Sequence, residues 1–274
     1  MTHPLEDSYD KLDRADEHLE SIEGEIKRFL GREPYRVVGK LYPGSPGKLH
    51  YIATGKIREQ PPRKLKVLIG EFCHNLRSSL DNMADILATP SSGGVAPPGT
   101  EFPIFKDRQL FFKTSKKGIP NRGSGLYKIR GMDRGPQTMI KWLQPYRRIN
   151  DPERHPLWRL HALNIGDKHR KPHLTGAILE GSSFGIKNMW DVDLHMHHWG
   201  MPAASGPFKN GATVGSLSLT ITGPDPVMDV DTDFTFGVAF DPKGVARGAP
   251  VVATLTELRK LVRGEVFPKL EKFV

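Results

Sequence analysis

The stretch Leu65-Lys-Val-Leu-Ile-Gly-Glu-Phe-Cys-His-Asn-Leu-Arg-Ser-Ser-Leu-Asp-Asn-Met-Ala-Asp-Ile-Leu87 decides how the first half of the chain folds. Wound at about 100° per residue, it places Leu65, Ile69, Phe72, Leu76, Leu80, Met83 and Leu87 in one apolar stripe. His74, Arg77, Ser78 and Asp81 gather on the opposite side at i, i+3, i+4 and i+7. Pro61-Pro62 can open such a helix, because a first-turn residue needs no N–H partner. Pro90 and the Ser-Ser-Gly-Gly run after it close the helix.

Outward from this segment the helical period recurs. Leu5, Tyr9, Leu12, Leu19, Ile22, Ile26 and Phe29 predict a helix over 5–30, with Gly31 as its C-cap. Tyr35–Leu41 and Leu49–Ile57 flank the turn-rich run Tyr42-Pro-Gly-Ser-Pro-Gly47 and read as a hairpin. Shorter helices follow at Gln137–Gln144, ended by Pro145, and at Pro156–Ile165, where Leu157, Leu160 and Leu163 face inward. After Pro172 the period changes to two. Leu174–Leu179, Phe184–Met189, Val192–Trp199, Thr213–Thr222, Val227–Val230 and Phe234–Phe240 read as the strands of an antiparallel meander. Thr254-Leu-Thr-Glu257 is a capping-box pattern that opens a final helix, which Gly264 and Pro268 bend or interrupt.

The expected class is therefore α+β: an N-terminal helical bundle, an antiparallel sheet from the C-terminal part and a final helix. The expected division is residues 1–172, mainly helical with the 35–57 hairpin and a basic irregular insert at 90–136, then 173–274, packed as one unit with the first. The hairpin either joins the sheet or stands apart.

Composition narrows the function classes. The formal net charge of the 274 residues is +9, which favours an anionic partner, nucleic acid before a membrane surface. No run approaches the ~18 apolar residues of a membrane span, and Met1-Thr-His-Pro-Leu-Glu-Asp7 lacks the apolar segment of a signal peptide. With Cys73 as the one cysteine, no internal disulfide forms, which suits a reducing compartment. A cytoplasmic protein is expected, with oligomeric state open and a homodimer among the options. Walker A, G-x-G-x-x-G, H-E-x-x-H, C-x-x-C and G-x-S-x-G patterns are all missing, so ordinary nucleotide, zincin and serine-hydrolase readings have no support.

Three groups of residues carry chemistry. His74, Arg77 and Asp81 share one helix face, where the histidine can move a proton, the arginine can hold an anion and the carboxylate can orient the imidazole. Alternatively they satisfy one another inside a buried helix. Asp167, His169 and Arg170 end the 156–170 segment and offer the same group types, or simply complement the helix dipole. The expectation is that the two clusters meet in one catalytic site. Lys113, Lys116, Lys117, Arg122, Lys128 and Arg130, interleaved with Phe102, Phe105, Phe111, Phe112 and Tyr127, have the composition of a single-strand-binding surface. The competing reading is an irregular lobe anchored by its aromatics.

Asp193-Leu-His195-Met-His197 is the most metal-like string, since alternate strand residues share a face. Alternation equally gives a solvated edge. The expectation is no cofactor and no metal, with Asp193, His195 and His197, or His74 with Asp167 and His169, as the fallback ligands.

The ordered set His74-Asn-Leu-Arg-Ser-Ser-Leu-Asp81, Phe102-Pro-Ile-Phe105, Leu143-Gln-Pro-Tyr146, Pro156-Leu-Trp158 and Asp167-Lys-His-Arg170 resembles a bacterial family of hypothetical proteins over roughly residues 60–175. That resemblance brings no activity with it. The Asn-Leu-Arg-Ser-x-Leu-Asp segment is also similar to helices of the HEPN superfamily, helical bundles that include metal-independent endoribonucleases. This likeness implies RNA binding and, with it, phosphodiester cleavage by a His, Arg and Asp site. The alternatives are a small-molecule enzyme, such as a metal-dependent hydrolase, and a non-catalytic interaction protein. The chain departs from the ribonuclease pattern Arg-x(4–6)-His: Arg148 and His155 have the spacing, but Asp151-Pro152 breaks a helix between them. Arg170-Lys-Pro-His173 is too short.

Overall fold

The computed structural model of the chain describes residues 3–148, 150–169, 174–199 and 209–274, with the backbone alone at 167–169, 174–177 and 199. It contains α1 (Glu6–Leu30), β1 (Tyr35–Pro43), β2 (Lys48–Ile57), α2 (Arg63–Ala88), α3 (Arg108–Phe111), α4 (Gly125–Lys128), α5 (Arg134–Trp142) and α6 (Pro156–His169). After these come β3 (Leu174–Trp190), β4 (Val192–Trp199), β5 (Thr213–Ile221), β6 (Val227–Phe240), α7 (Val251–Leu261) and α8 (Phe267–Glu271). The class is α+β, as the change of period at residue 172 predicts. No helix among the described residues is long and apolar enough to cross a membrane.

The elements form two compact units. The first comprises Met1–Glu23, Lys64–Pro172 and Val252–Val274; the second comprises Gly24–Arg63 and His173–Val251. A cut at residue 172 alone does not reproduce this division. The 35–57 hairpin belongs with the strands, and the last helices belong with the bundle.

In the first unit the stripe of α2 is fully withdrawn: Leu65, Ile69, Phe72, Leu76, Leu80 and Met83 are buried, as are Leu5, Leu12, Ala15 and Ile22 of α1. The C-terminal helices join this core through Leu255, Leu258, Val262, Val266, Phe267 and Leu270. Their polar edge is tied to α1 by Arg259, whose Nε and Nη2 donate to Asp16 at 2.5 and 2.9 Å, and by Arg263 on Asp13. Thr254 is not the cap of the last helix. The helix starts at Val251, after Pro250, and Thr254 is a buried residue inside it. Val262–Val266 winds as a π-turn, with Phe267 N–H reaching Val262 O. Pro268 explains the widening, because it has no N–H to continue the i→i−4 ladder.

The 90–136 lobe has little regular structure and a well-defined interior. Phe111 packs edge-on against Phe105 and Tyr146 at centroid distances of 5.5 and 5.4 Å, and Phe112 closes on both Phe111 and Tyr146. Gly125 lies so close to the Phe111 ring that a Cβ there would overlap it.

The second unit is all antiparallel. Four strands pair in the order β1-β2-β5-β4, and β3 pairs with β6 as a separate two-stranded ribbon. This is a nested arrangement, with β4–β5 inside β3–β6, where consecutive pairing was expected of a meander. The hairpin joins the sheet, since β2 pairs with β5 from Lys48↔Thr220 to Thr54↔Thr213. Two pairs of expected short strands are continuous: β3 absorbs Gly181 and its neighbours through register shifts, and β6 runs unbroken through Asp231 and Asp233. One face of the sheet carries Val192, Leu217 and Leu219, packed with Leu49, Tyr51, Phe184, Leu194 and Met228.

Candidate functional site

Two side chains of α2 hold the extended segment Glu101–Phe105 by its backbone. Arg77 Nη2 donates to Asp81 Oδ1 at 2.7 Å and to Phe102 O at 2.6 Å, while Phe102 N–H donates to the same Asp81 oxygen at 3.0 Å. The i, i+4 spacing on a helix makes this pair geometrically ready. Gln144, buried after α5, continues the pattern: its amide donates to Pro103 O at 2.8 Å and its carbonyl accepts from Phe105 N–H at 3.0 Å. A segment with no strand partner thus has its polar groups met by side chains, as buried backbone requires.

This staple brings a charged group together. Glu101 Oε2 stands 3.6 Å from Arg77 Nη2, and its other oxygen accepts from Lys128 Nζ of α4. Arg77 is buried, and its Nη1 has no hydrogen-bond partner among the described residues. A buried charged donor left without a partner is costly. Burial raises the Asp81 carboxyl above its ordinary range, against the pull of Arg77 and the Phe102 N–H.

α6 delivers the histidine. His161 lies one turn from Trp158, with ring centroids 5.4 Å apart. Burial first, then the charges of Arg77 and Lys128, lower its pKa to about 4, with Glu101 pulling the other way. The imidazole is therefore neutral at pH 7 and able to accept a proton. Lys106 sits over the Trp158 ring at 4.9 Å and bonds Glu153 at 2.5 Å. The same lysine lines a groove of about 500 Å³ with Arg108, Arg148 and Tyr146, and with the carboxylates Asp107, Asp151 and Glu153.

The expected site residues are distributed unevenly over this geometry. Arg77 and Asp81 are at its centre. His74 is exposed on α2 and makes no hydrogen bond or ion pair with another described residue. Asp167 and His169 are on the last turn of α6 by their backbone; their side chains, and Arg170 altogether, lie outside the described residues. His161, Glu101 and Gln144 were not singled out from sequence. The signal for His161 was Trp158-x-x-His161, two rings one turn apart along the edge of the stripe of Leu157, Leu160 and Leu163.

Of the basic stretch, Lys113, Lys116, Lys117 and Arg122 are exposed. Lys128 pairs with Glu101, and Arg130 donates to the carbonyls of Tyr127 and Pro98 while covering the Tyr127 ring at 3.7 Å. Phe102 and Phe111 are buried, and Phe105, Phe112 and Tyr127 are half-buried against neighbours, so the aromatics anchor the lobe. Arg148 and His155 flank a 3₁₀ turn at Pro152–Arg154 and do not share a helix.

In the second unit His195 of β4 and His50 of β2 both stand opposite Ser218 of β5. Ser218 Oγ is 3.0 Å from His50 Nδ1 and 2.6 Å from His197 Nε2. Asp193 is two residues further along, opposite Thr220. No three His, Cys, Asp or Glu side chains among the described residues are arranged to hold a metal.

No family model, no curated protein and no solved structure matches the chain.

Proposed function

We propose that the helical unit binds single-stranded RNA and that the Arg77–His161 cluster acts on its phosphodiester. The observation that carries this reading is a neutral imidazole within electrostatic reach of a buried guanidinium whose Nη1 has no hydrogen-bond partner among the described residues. His161 takes the proton of a ribose 2′-hydroxyl as that oxygen attacks phosphorus. Arg77 and Lys128 stabilise the charge that grows on the phosphoryl oxygens, and the 5′-oxygen leaves with a proton from solvent. A pKa near 4 makes His161 a weak base in the free protein; a phosphate beside it raises that value. His161 thus takes the role that sequence alone gave to His74 or His169, and Asp81 positions Arg77. Lys106, Arg108 and Arg148, in a groove that also carries Asp107, Asp151 and Glu153, offer the strand cations, and Lys106 lies over Trp158. The net charge of +9 and the likeness of α2 to HEPN helices support the same substrate class.

A second reading is favoured by the Phe102 contacts. Arg77, Asp81 and Gln144 can serve only to fix the Glu101–Phe105 segment, in a protein that binds without catalysis. Labelled single-stranded RNA, followed across a salt series and on gels, separates the two. Binding that weakens steeply with salt and cleavage that is lost in His161→Ala and in a 2′-deoxy substrate are expected. Binding without cleavage leaves the second reading; no binding at low salt removes the nucleic-acid reading.

A further inference from the structure

Glu101 occupies the place of an anion. Its carboxylate touches two cations that are withdrawn from water, Lys128 with 21% and Arg77 with 9% of the side chain exposed, yet it is itself 40% exposed. Arg77 does not depend on it: Nη2 is already bonded by Asp81 at 2.7 Å and Phe102 O at 2.6 Å, and Glu101 stands beyond hydrogen-bond range at 3.6 Å. The charges of Arg77 and Lys128 are balanced by Asp81 and Glu101 only while Glu101 stays in. When it swings out, the two cations are left with one carboxylate, Asp81. A carboxylate has two oxygens to offer and a phosphate more, so a phosphate in the seat of Glu101 can bond Lys128 and stand against Arg77 Nη2 together.

We propose that Glu101 is a displaceable internal anion, holding the seat that a phosphate group of the substrate takes between Arg77 and Lys128. This rests on the reading of the cluster as a phosphodiester site, and it adds how the empty site is kept neutral and what a ligand must displace. Lys128 becomes a binding residue, and Glu101 sets the threshold for entry.

The test is calorimetric binding of inorganic phosphate, and separately of a short single-stranded RNA, to the full chain. Glu101→Gln removes the charge of an exposed side chain and should tighten phosphate binding roughly tenfold, since one charge-assisted competitor is lost. Glu23→Gln, the same charge change at an exposed position of α1, should not. Adding Lys128→Gln to Glu101→Gln should erase the gain. Unchanged or weaker phosphate binding in Glu101→Gln overturns the proposal, as does an equal gain in Glu23→Gln or a gain that survives Lys128→Gln. Thermal melts matching the wild type establish that each variant is folded, and Glu101→Ala provides a second route to the same measurement. A phosphate gain without RNA binding supports the role of Glu101 while removing the RNA reading; RNA cleavage with no Glu101 effect does the reverse.

Discussion

His161 remains neutral because its ring is half-buried and feels the charges of Arg77 and Lys128, with Glu101 in opposition. That has a consequence for stability with a definite sign. The pKa is lowered from 6.5 to about 4, so between those values the unfolded chain binds a proton that the folded chain does not. Stability therefore rises with pH across this window and is lost as pH falls from about 6.5 towards 4. The full shift corresponds to about 3 kcal/mol, which screening at a partly exposed ring reduces to about 1–2 kcal/mol. His155 and His18, whose pKa values burial also lowers, contribute in the same direction. In urea titrations at pH 7 and pH 4.5, His161→Gln should lose about 1–2 kcal/mol less between the two conditions than the wild type does. An equal loss in both proteins would show that the ring titrates as it would in water. At this scale the sequence was legible in part: Arg77 and Asp81 stand out from helical spacing alone. Glu101 did not, and Lys128 stood out only as one of a basic run, because the contacts of Glu101 with Arg77 and Lys128 depend on how a proline-containing segment crosses α2, which no local period encodes.

Elements with a strong local period were readable and their pairings were not. The stripes of α1 and α2 fix helices whose observed ends fall within two residues of the expected ones, since burying one face dictates both length and phase. Strand existence after residue 172 follows from alternation in the same way. The nested partners of β3 and β4 do not, because alternation specifies which face is buried and says nothing of which neighbour supplies the hydrogen bonds. The misplaced start of α7 has a similar origin. Thr254 and Glu257 have the capping spacing, but the helix starts upstream at Val251, and Thr254 is itself buried within it. The basic lobe shows the opposite case, an element with no period whose order comes from one aromatic cluster. Gly125 is the closest approach in that cluster, and Gly125→Ala would drive a methyl into Phe111. The substitution should cost about 1–3 kcal/mol, as overpacking of a filled core does. Guanidinium unfolding should show a lower midpoint at unchanged slope. Retained stability would mean that Phe111 has room to turn, and with it that the lobe is looser than its ring contacts indicate.

Across the whole molecule the excess positive charge is not used evenly. Many cations are committed inside the fold: Arg259 and Arg263 to α1, Arg77 to Phe102, and Arg130 to two carbonyls. Lys113, Lys116, Lys117 and Arg122 are exposed on the basic lobe and make no ion pair with another described residue, so changing them should leave the fold intact. An anionic strand bound by the helical unit would release counterions at such groups, and each phosphate neutralised adds about 0.7 to the slope of log affinity against log salt for a single strand. The quadruple replacement of these four residues by glutamine should therefore weaken single-stranded RNA binding and flatten that slope by up to about 3, with the melting temperature nearly unchanged. Arg130→Gln should behave differently, lowering the melting temperature because two carbonyls lose their donor. If the quadruple variant binds with the wild-type slope, the strand does not run over this lobe. The contacts then belong to the groove at Lys106, Arg108 and Arg148, where the same salt series on charge-removing variants would locate them.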